Sequence, residues 1–413
     1  MPTRNKQVKR KIRVDKIVQL GLNGRLKSSE LSARGRVKDM RDASQVLLLS
    51  DSQSRWDSTL KKSVRKSSVK GKVTSHVVQW IPVISQIGKP LMPTRPKRIR
   101  ELLEKGKAVG KWKVGVFYIQ LTERDDGVVQ KVAAGIDPGS KREAFTVKSE
   151  KHTYLNILSD AVSWVKDAVE VKRNMRKARR FRKTPCRKNR MNRSRGGIPP
   201  STKARWNAKL RIVNILVKLF PISDIIVEDI QAKTMKNGRK WNWLFSPLEV
   251  GKEWFYGELR KLANLEIRRG YETKELRDTL GLTKTKGKME EKFSAHNVDS
   301  WVLANSIVGG HAKPDNESIF RLIPLRFHRR QLYAFQQSKG NIRRPYGGTI
   351  SQGLKRGSLV KHPKWGLCYV GGNMDGRGIS LHRLEDGMRI CQNVKVDDLA
   401  NLSFNNWRWY KVA

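Results

Sequence analysis

Residues 131–159 read KVAAGIDPGSKREAFTVKSEKHTYLNILS, and this stretch sets the fold class. An apolar run from Val132 to Ile136 predicts a strand ending in Asp137. Pro138, Gly139 and Ser140 then turn the chain. A second strand is expected from Ala144 to Val147 and a third from Thr153 to Leu158. From Asp160 to Lys172 the pattern becomes helical and leads into KRNMRKARRFRKTPCRKNRMNRSR, residues Lys172 to Arg195. Thirteen of these 24 residues are Lys or Arg and none is acidic. Unpaired charge at that density is too costly to bury, so the segment lies in solvent or against a polyanion. Lys172 to Lys183 favours a helix with Arg or Lys on every face, and Pro185 interrupts it. Taken alone, the segment also has a plainer reading, as a solvated basic helix or a localisation tag.

Downstream, Gly196 to Pro200 break the chain, and Ser201 can cap a helix running to about Leu219. Pro221 separates that helix from a strand, SDIIVEDI, which carries Glu228 and Asp229. A Trp-rich loop (Trp241, Trp243), a helix from about Pro247 to Leu262 and a strand LEIRRGYE follow. The polar loop GLTKTKGKMEEKFS precedes HNVDSWVLANSIVGG, a helix with an apolar face. Upstream, VVQWIPVIS reads as a strand, IGKPLMP as a turn, RPKRIRELLEKGKA as a helix ending near Gly106, and GKWKVGVFYIQLTE as another strand. After about Gln331, short runs such as GSLVKHP, GLCYVGG, GISLHRL, MRICQNVKV and WRWYKV alternate with Gly, Asp and Asn turns, which suggests a small β-barrel-like domain. Residues 1–78 carry 20 Lys or Arg, six acids and one aromatic residue, Trp56, and read as a basic arm that orders only on a partner.

A formal net charge of +50 over 413 residues makes a polyanion the leading partner, bound through phosphate contacts. A membrane surface fits less well, because no strongly amphipathic basic helix of the interfacial kind is present. Cys186, Cys368 and Cys391 form no CxxC pair, which argues against a zinc ribbon or a disulfide framework. Without a GxxxxGK[ST] pattern an ATP-driven motor is disfavoured. Without an apolar run near 18 residues or a leader pattern, a soluble protein of the cytoplasm or nucleoid is expected.

Asp137 and Glu228 stand at the ends of apolar strands, and Asp299 lies on a helix three residues after His296, so that pair shares one side. Such carboxylates can hold two divalent cations, with oxygen donors suiting Mg²⁺ or Mn²⁺. Each residue also has a plainer reading. Asp137 before Pro-Gly can start a turn, Glu228 beside Asp229 can be a solvated strand end, and His296 can simply open its helix.

AAGIDPGSKREAFTV, DIIVEDI and HNVDSWVLA together resemble the three split motifs of a RuvC nuclease. The Arg-rich run between the first two resembles the bridge helix of RNA-guided nucleases. KPLMPTRPKRIRELLEKGKA resembles the PLMP segment of the transposon-encoded IscB group, and RRQLYAFQQSKGNIRRPYGG with KRGSLVKHPKWG resembles its C-terminal region. IscB proteins insert an HNH nuclease between the second and third motifs. Here Glu228 and His296 stand 68 positions apart with neither His nor Cys between them, so the resemblance is to IsrB, the HNH-less branch.

The resemblance implies an α/β protein with an RNase H-like (RuvC) core split by the bridge helix. Its implied parts are a PLMP unit at 79–130, RuvC part I at 131–171, the bridge at 172–195, parts II and III at 196–330, and a motif-reading domain at 331–413. It implies nicking of the non-target DNA strand, directed by a long noncoding RNA, in a monomeric ribonucleoprotein using two Mg²⁺ ions. Asp137, Glu228, His296 and Asp299 would be the catalytic and metal-binding set. Arg173, Arg176, Lys177, Arg179, Arg180, Arg182, Lys183, Arg187, Lys188 and Arg190 would grip phosphates. Two other readings stay open: a non-catalytic RNA- or DNA-binding protein, and a guide-free nuclease of the junction-resolving type.

Overall fold

In the computed structural model, residues 80–183, 198–229, 249–287, 290–325, 350–373 and 378–412 are described, all within one compact unit spanning 63–413. The basic arm, Pro185, Arg187, Lys188, Arg190, Trp241, Trp243 and RRQLYAFQQSKGNIRRPYGG lie outside these residues.

The first sheet comprises β1 (Ile81–Ile84), β2 (Pro90–Thr94), β3 (Ala108–Lys113) and β4 (Val116–Leu121), in the order β2-β1-β4-β3. Helix α1 (Pro96–Glu104) begins at a proline, whose missing N–H costs nothing in the first helical turn, and buries Ile99. The sequence PLMP, expected as a turn, is instead β2. Its Leu91 pairs with Val83 at the sheet edge, the place where a strand tolerates proline.

The central sheet has seven strands, in the order β18 (Trp407–Lys411), β10 (Ile319–Pro324), β7 (Thr153–Asp160), β6 (Arg142–Ser149), β5 (Val132–Asp137), β8 (Asp224–Asp229) and β9 (Asn264–Arg269). Strands β5 (Val132–Asp137), β6 (Arg142–Ser149) and β7 (Thr153–Asp160) form an antiparallel meander. The second and third of these are longer than the apolar runs predict, because ladder pairing extends through polar residues. After α2 (Trp164–Phe181) and α3 (Pro200–Leu219), strand β8 (Asp224–Asp229) returns parallel to β5. Ser201 lies inside α3 instead of capping it, since Pro200 already occupies the first turn. Helix α4 (Lys252–Arg260) leads to β9 (Asn264–Arg269), parallel to β8. The end of LEIRRGYE leaves the strand at Gly270 and becomes α5 (Gly270–Thr279). Helix α6 (Phe293–Val308) and β10 (Ile319–Pro324) complete this part, β10 lying parallel to β7.

Both faces of this sheet are covered, so β5 is buried almost continuously and shows no polar alternation. Val132, Ala134 and Ile136 face a core with Trp206, Val213 and Leu216 of α3 and Phe255 of α4. On the other face Leu158 of β7 packs with Phe293, Val298, Trp301 and Val302 of α6. Burying side chains of this size stabilises by about 1.5–3 kcal/mol each. Helix α6 is buried nearly all round, and polar bonds fix its position on the sheet. The Asn297 amide donates to the Ile157 carbonyl at 3.1 Å, Ser300 and Thr146 share a hydroxyl bond of 2.8 Å, and the Trp301 indole donates to Thr153 Oγ1 at 2.9 Å.

The C-terminal part holds a short hairpin, β11 (Ile350–Ser351) and β12 (Leu354–Lys355), and a five-stranded antiparallel sheet. That sheet comprises β13 (Leu359–His362), β14 (Gly366–Asn373), β15 (Ile379–His382), β16 (Arg389–Val394) and β17 (Ala400–Ser403), in the order β16-β15-β14-β13-β17. WRWYKV, expected as the last strand of a barrel-like domain, is β18 (Trp407–Lys411) and pairs instead with β10 as the edge of the central sheet. Its Trp409 stacks on Phe320 and its Trp407 indole donates to the Val114 carbonyl, contacts that a free small domain would not offer. No helix among the described residues is long and apolar enough to cross a membrane.

Gly135 tests the seating of α6. A Cβ there would lie 1.9 Å from the Ser300 carbonyl oxygen and 2.9 Å from the Ala304 nitrogen, both backbone atoms that cannot swing aside. Gly135→Ala is expected to destabilise the protein by about 3 kcal/mol in urea unfolding, because helix and strand must part. An unchanged midpoint would mean that α6 does not rest on β5 in this way.

Candidate active site

Strand pairing alone brings two of the acids together. Strands β5 and β8 run parallel with Ile136 opposite Val227, so Asp137 and Glu228 emerge side by side at the carboxyl ends of neighbouring strands. That is the carboxyl end of the parallel run β5-β8-β9, the end at which open α/β sheets place their ligand sites. Helix α6, packed on β5, β6 and β8, brings Asp299 to those two acids. Asp137, Glu228 and Asp299 each offer a ligand oxygen, and these atoms lie within 4.8 Å of one another. Gly270, at the start of α5, leaves room for Glu228, since a Cβ there would sit 2.8 Å from Glu228 Oε1.

His296 lies on α6 one turn before Asp299 but is not among the atoms so gathered. Its Nε2 is buried without a hydrogen-bond partner among the described residues. Burial, then the charges of Arg142 and Lys284, hold its pKa below the ordinary value, which keeps the ring neutral near pH 7.

Burial sets the electrostatics of the triad, and the neighbouring charges modify it. Burial pushes Glu228 up to about 8, and Asp137 and Asp299 add to the rise while Lys284 and Arg277 oppose it. Asp137 is pushed up to about 6, chiefly by burial, with Asp299 adding and Lys284 and Lys209 opposing. Three carboxylates this close repel one another and favour a shared cation. All the donors are carboxylate oxygens, the set that suits hard divalent ions such as Mg²⁺ or Mn²⁺ better than zinc. The residues present therefore fit a divalent-metal site.

Two basic groups that motif reasoning passes over complete the cluster. Arg277 on α5 donates Nη1 to Asp299 Oδ1 at 2.6 Å. Lys284 bonds Asp299 Oδ2 and stands 3.8 Å from Asp137 Oδ2. Burial works against the Lys284 ammonium, yet Asp137 and Asp299 carry its pKa above the usual value. Behind the site, Lys209 of α3 and Glu143 of β6 form a fully buried ion pair at 2.5 Å. Lys284 is hidden among the similar lysines of GLTKTKGK, and nothing local to Arg277, Lys209 or Glu143 marks them.

The basic helix α2 leaves the sheet after β7 and buries Val165 near its start. From Lys172 onward it is exposed: Arg173, Arg176, Lys177 and Arg180 lie on the helix, and Arg182 and Lys183 at its end, all open to solvent. Arg179 belongs to the same helix. The helix stops at Phe181, and Lys183 adopts a positive φ of 49°, so the chain has left helical geometry before Pro185.

The family model described as "RRXRR protein" matches residues 81–243. No curated protein matches the chain. Among solved structures, RuvC of T. thermophilus in complex with a Holliday junction substrate is similar at 14% identity and a TM-score of 0.23, covering 44% of this chain and 97% of that one.

The raised carboxyl pKa values give the metal-free protein a defined pH dependence. Protonated Asp137 and Glu228 are favoured on folding, so their stabilising contribution is full below the ordinary carboxyl values of 3.8 and 4.5. It is lost as the pH rises through about 6 and then about 8. In EDTA, the melting temperature is expected to fall between pH 5 and 9 more steeply for the wild type than for Glu228→Gln. Parallel curves would show that Glu228 carries no such penalty.

Proposed function

We propose that this chain is an RNA-guided DNA endonuclease that nicks one strand of duplex DNA, the non-target strand. The observation that carries the reading is the cluster of Asp137, Glu228 and Asp299, with ligand oxygens within 4.8 Å, in a chain whose exposed Arg-rich helix leaves the same sheet. The strand order, an antiparallel meander continued by parallel β8 and β9, supports an RNase H-like core. The RRXRR match supports it further, because residues 81–243 span the PLMP segment, Asp137, the Arg-rich run and Glu228.

In this reading Asp137, Glu228 and Asp299 hold divalent cations, which when bound activate a water and offset charge on the leaving oxygen of a phosphodiester. The neutral ring of His296, with an unpartnered Nε2, orients the attacking water or accepts its proton. Arg173, Arg176, Lys177, Arg179, Arg180, Arg182 and Lys183 grip phosphates of a long guide RNA and its heteroduplex, as would Arg187, Lys188 and Arg190 beyond them. Base pairing then reads the sequence and the C-terminal sheet reads a short flanking motif. With one acidic cluster among the described residues, and neither His nor Cys between Glu228 and His296 to build an HNH site, one strand is cut. The working particle is one protein chain on one RNA.

Purified protein co-expressed with its upstream noncoding RNA is expected to convert supercoiled plasmid carrying a matched target to open circles. The reaction needs Mg²⁺ and is abolished by Asp137→Ala with RNA binding intact. Linear product would overturn single-strand cutting, cutting without RNA would favour a guide-free resolvase, and tight RNA binding without cutting would favour a non-catalytic binder.

Replacing Arg176, Arg180 and Arg182 by Glu is expected to weaken RNA assembly. The slope of log K against log salt should fall by about 0.7–0.9 for each phosphate that is no longer neutralised. Unchanged binding at moderate salt would remove the phosphate-gripping role.

A further inference from the structure

Each carboxylate oxygen of Asp299 is held by a different cation, and the two cations are built differently. Arg277 takes Oδ1 at 2.6 Å from within helix α5, with its side chain 15% exposed. Lys284 takes Oδ2 from the irregular stretch between α5 and α6, with its side chain 34% exposed and Asp137 Oδ2 also within 3.8 Å. A guanidinium on a regular helix is a fixed, planar donor. An ammonium on a four-carbon stem from an irregular segment is a movable point charge. An ammonium bonded to an oxygen and a divalent ion ligated by that oxygen repel each other at close range, so both cannot use Oδ2 at once.

We propose that Lys284 is a placeholder cation. In the metal-free protein its ammonium sits among the carboxylate oxygens that would hold a divalent ion, bonded to Asp299 Oδ2 and 3.8 Å from Asp137 Oδ2, and it would withdraw toward solvent on ion binding. Arg277 stays on Oδ1 and fixes the rotation of the carboxylate, so that Oδ2 is the oxygen left to ligate. Lys284 and Arg277 are thus positioning residues of opposite effect. The division rests on the metal-dependent reading of the triad under Proposed function.

The test is Mn²⁺ binding to the purified full chain without nucleic acid, followed by electron paramagnetic resonance, with melting temperatures in EDTA and in Mn²⁺. Lys284→Met is expected to bind Mn²⁺ about tenfold more tightly than wild type, within the usual range for coupled sites. It should also melt lower in EDTA and gain more from Mn²⁺. Lys284→Gln, which keeps a polar side chain there, should shift affinity in the same direction and serves if the Met variant does not fold. Arg277→Met is expected to bind about tenfold more weakly. Equal or weaker binding by both Lys284 variants would overturn the placeholder and leave the nuclease reading standing. Tighter or unchanged binding by Arg277→Met would overturn the division of the two oxygens. Absence of Mn²⁺ binding in wild type and variants alike would overturn both this inference and the metal-dependent reading beneath it.

Discussion

The architecture hangs on the close approach of α6 to β5. Gly135 admits the backbone of Ser300 to a distance that any side chain would forbid. The helix is then held by Asn297, Ser300 and Trp301 against β6 and β7. That seating carries Asp299 over the end of the sheet to meet Asp137 and Glu228, which parallel pairing has already set side by side. Elements far apart in sequence thereby converge on a volume a few ångströms across.

Convergence in a buried place has an electrostatic cost: loss of water first, then mutual repulsion, pushes Asp137 and Glu228 upward. Arg277 and Lys284 partly offset it, and Lys209 contributes from behind while paired with Glu143. A buried ion pair of this kind adds little net stability over apolar packing, but losing one partner strands the other charge. Lys209 stands on α3, the helix that follows the Arg-rich run, and Glu143 on the strand beside β5. The pair therefore ties that helix to the end of the sheet where β5 delivers Asp137.

The first sheet and the C-terminal region meet on the central sheet. Strand β18 is the outermost strand beyond β10, and its Trp407 reaches the β3–β4 hairpin of the first sheet through the Val114 carbonyl. Gly115 of that hairpin also donates to Ser403 Oγ at 2.9 Å. The two regions are thus braced against each other as well as against the central sheet.

Local chemistry in the sequence determined much of this. The apolar runs ending in Asp137 and Glu228, the proline at 96 and the apolar helix around Asp299 mark elements that form where patterning places them. The density of Arg from Lys172 onward likewise dictates an exposed helix, because no core can take those charges. Other features were settled only by long-range packing. PLMP becomes a strand because β1 offers it an edge, and Trp407–Lys411 joins the central sheet because β10 offers a ladder and Phe320 a stacking face. The same holds for Arg277, Lys284, Lys209 and Glu143. A lysine in a polar loop has no local signature of the carboxylate it will meet, and only the folded chain brings that charge within reach.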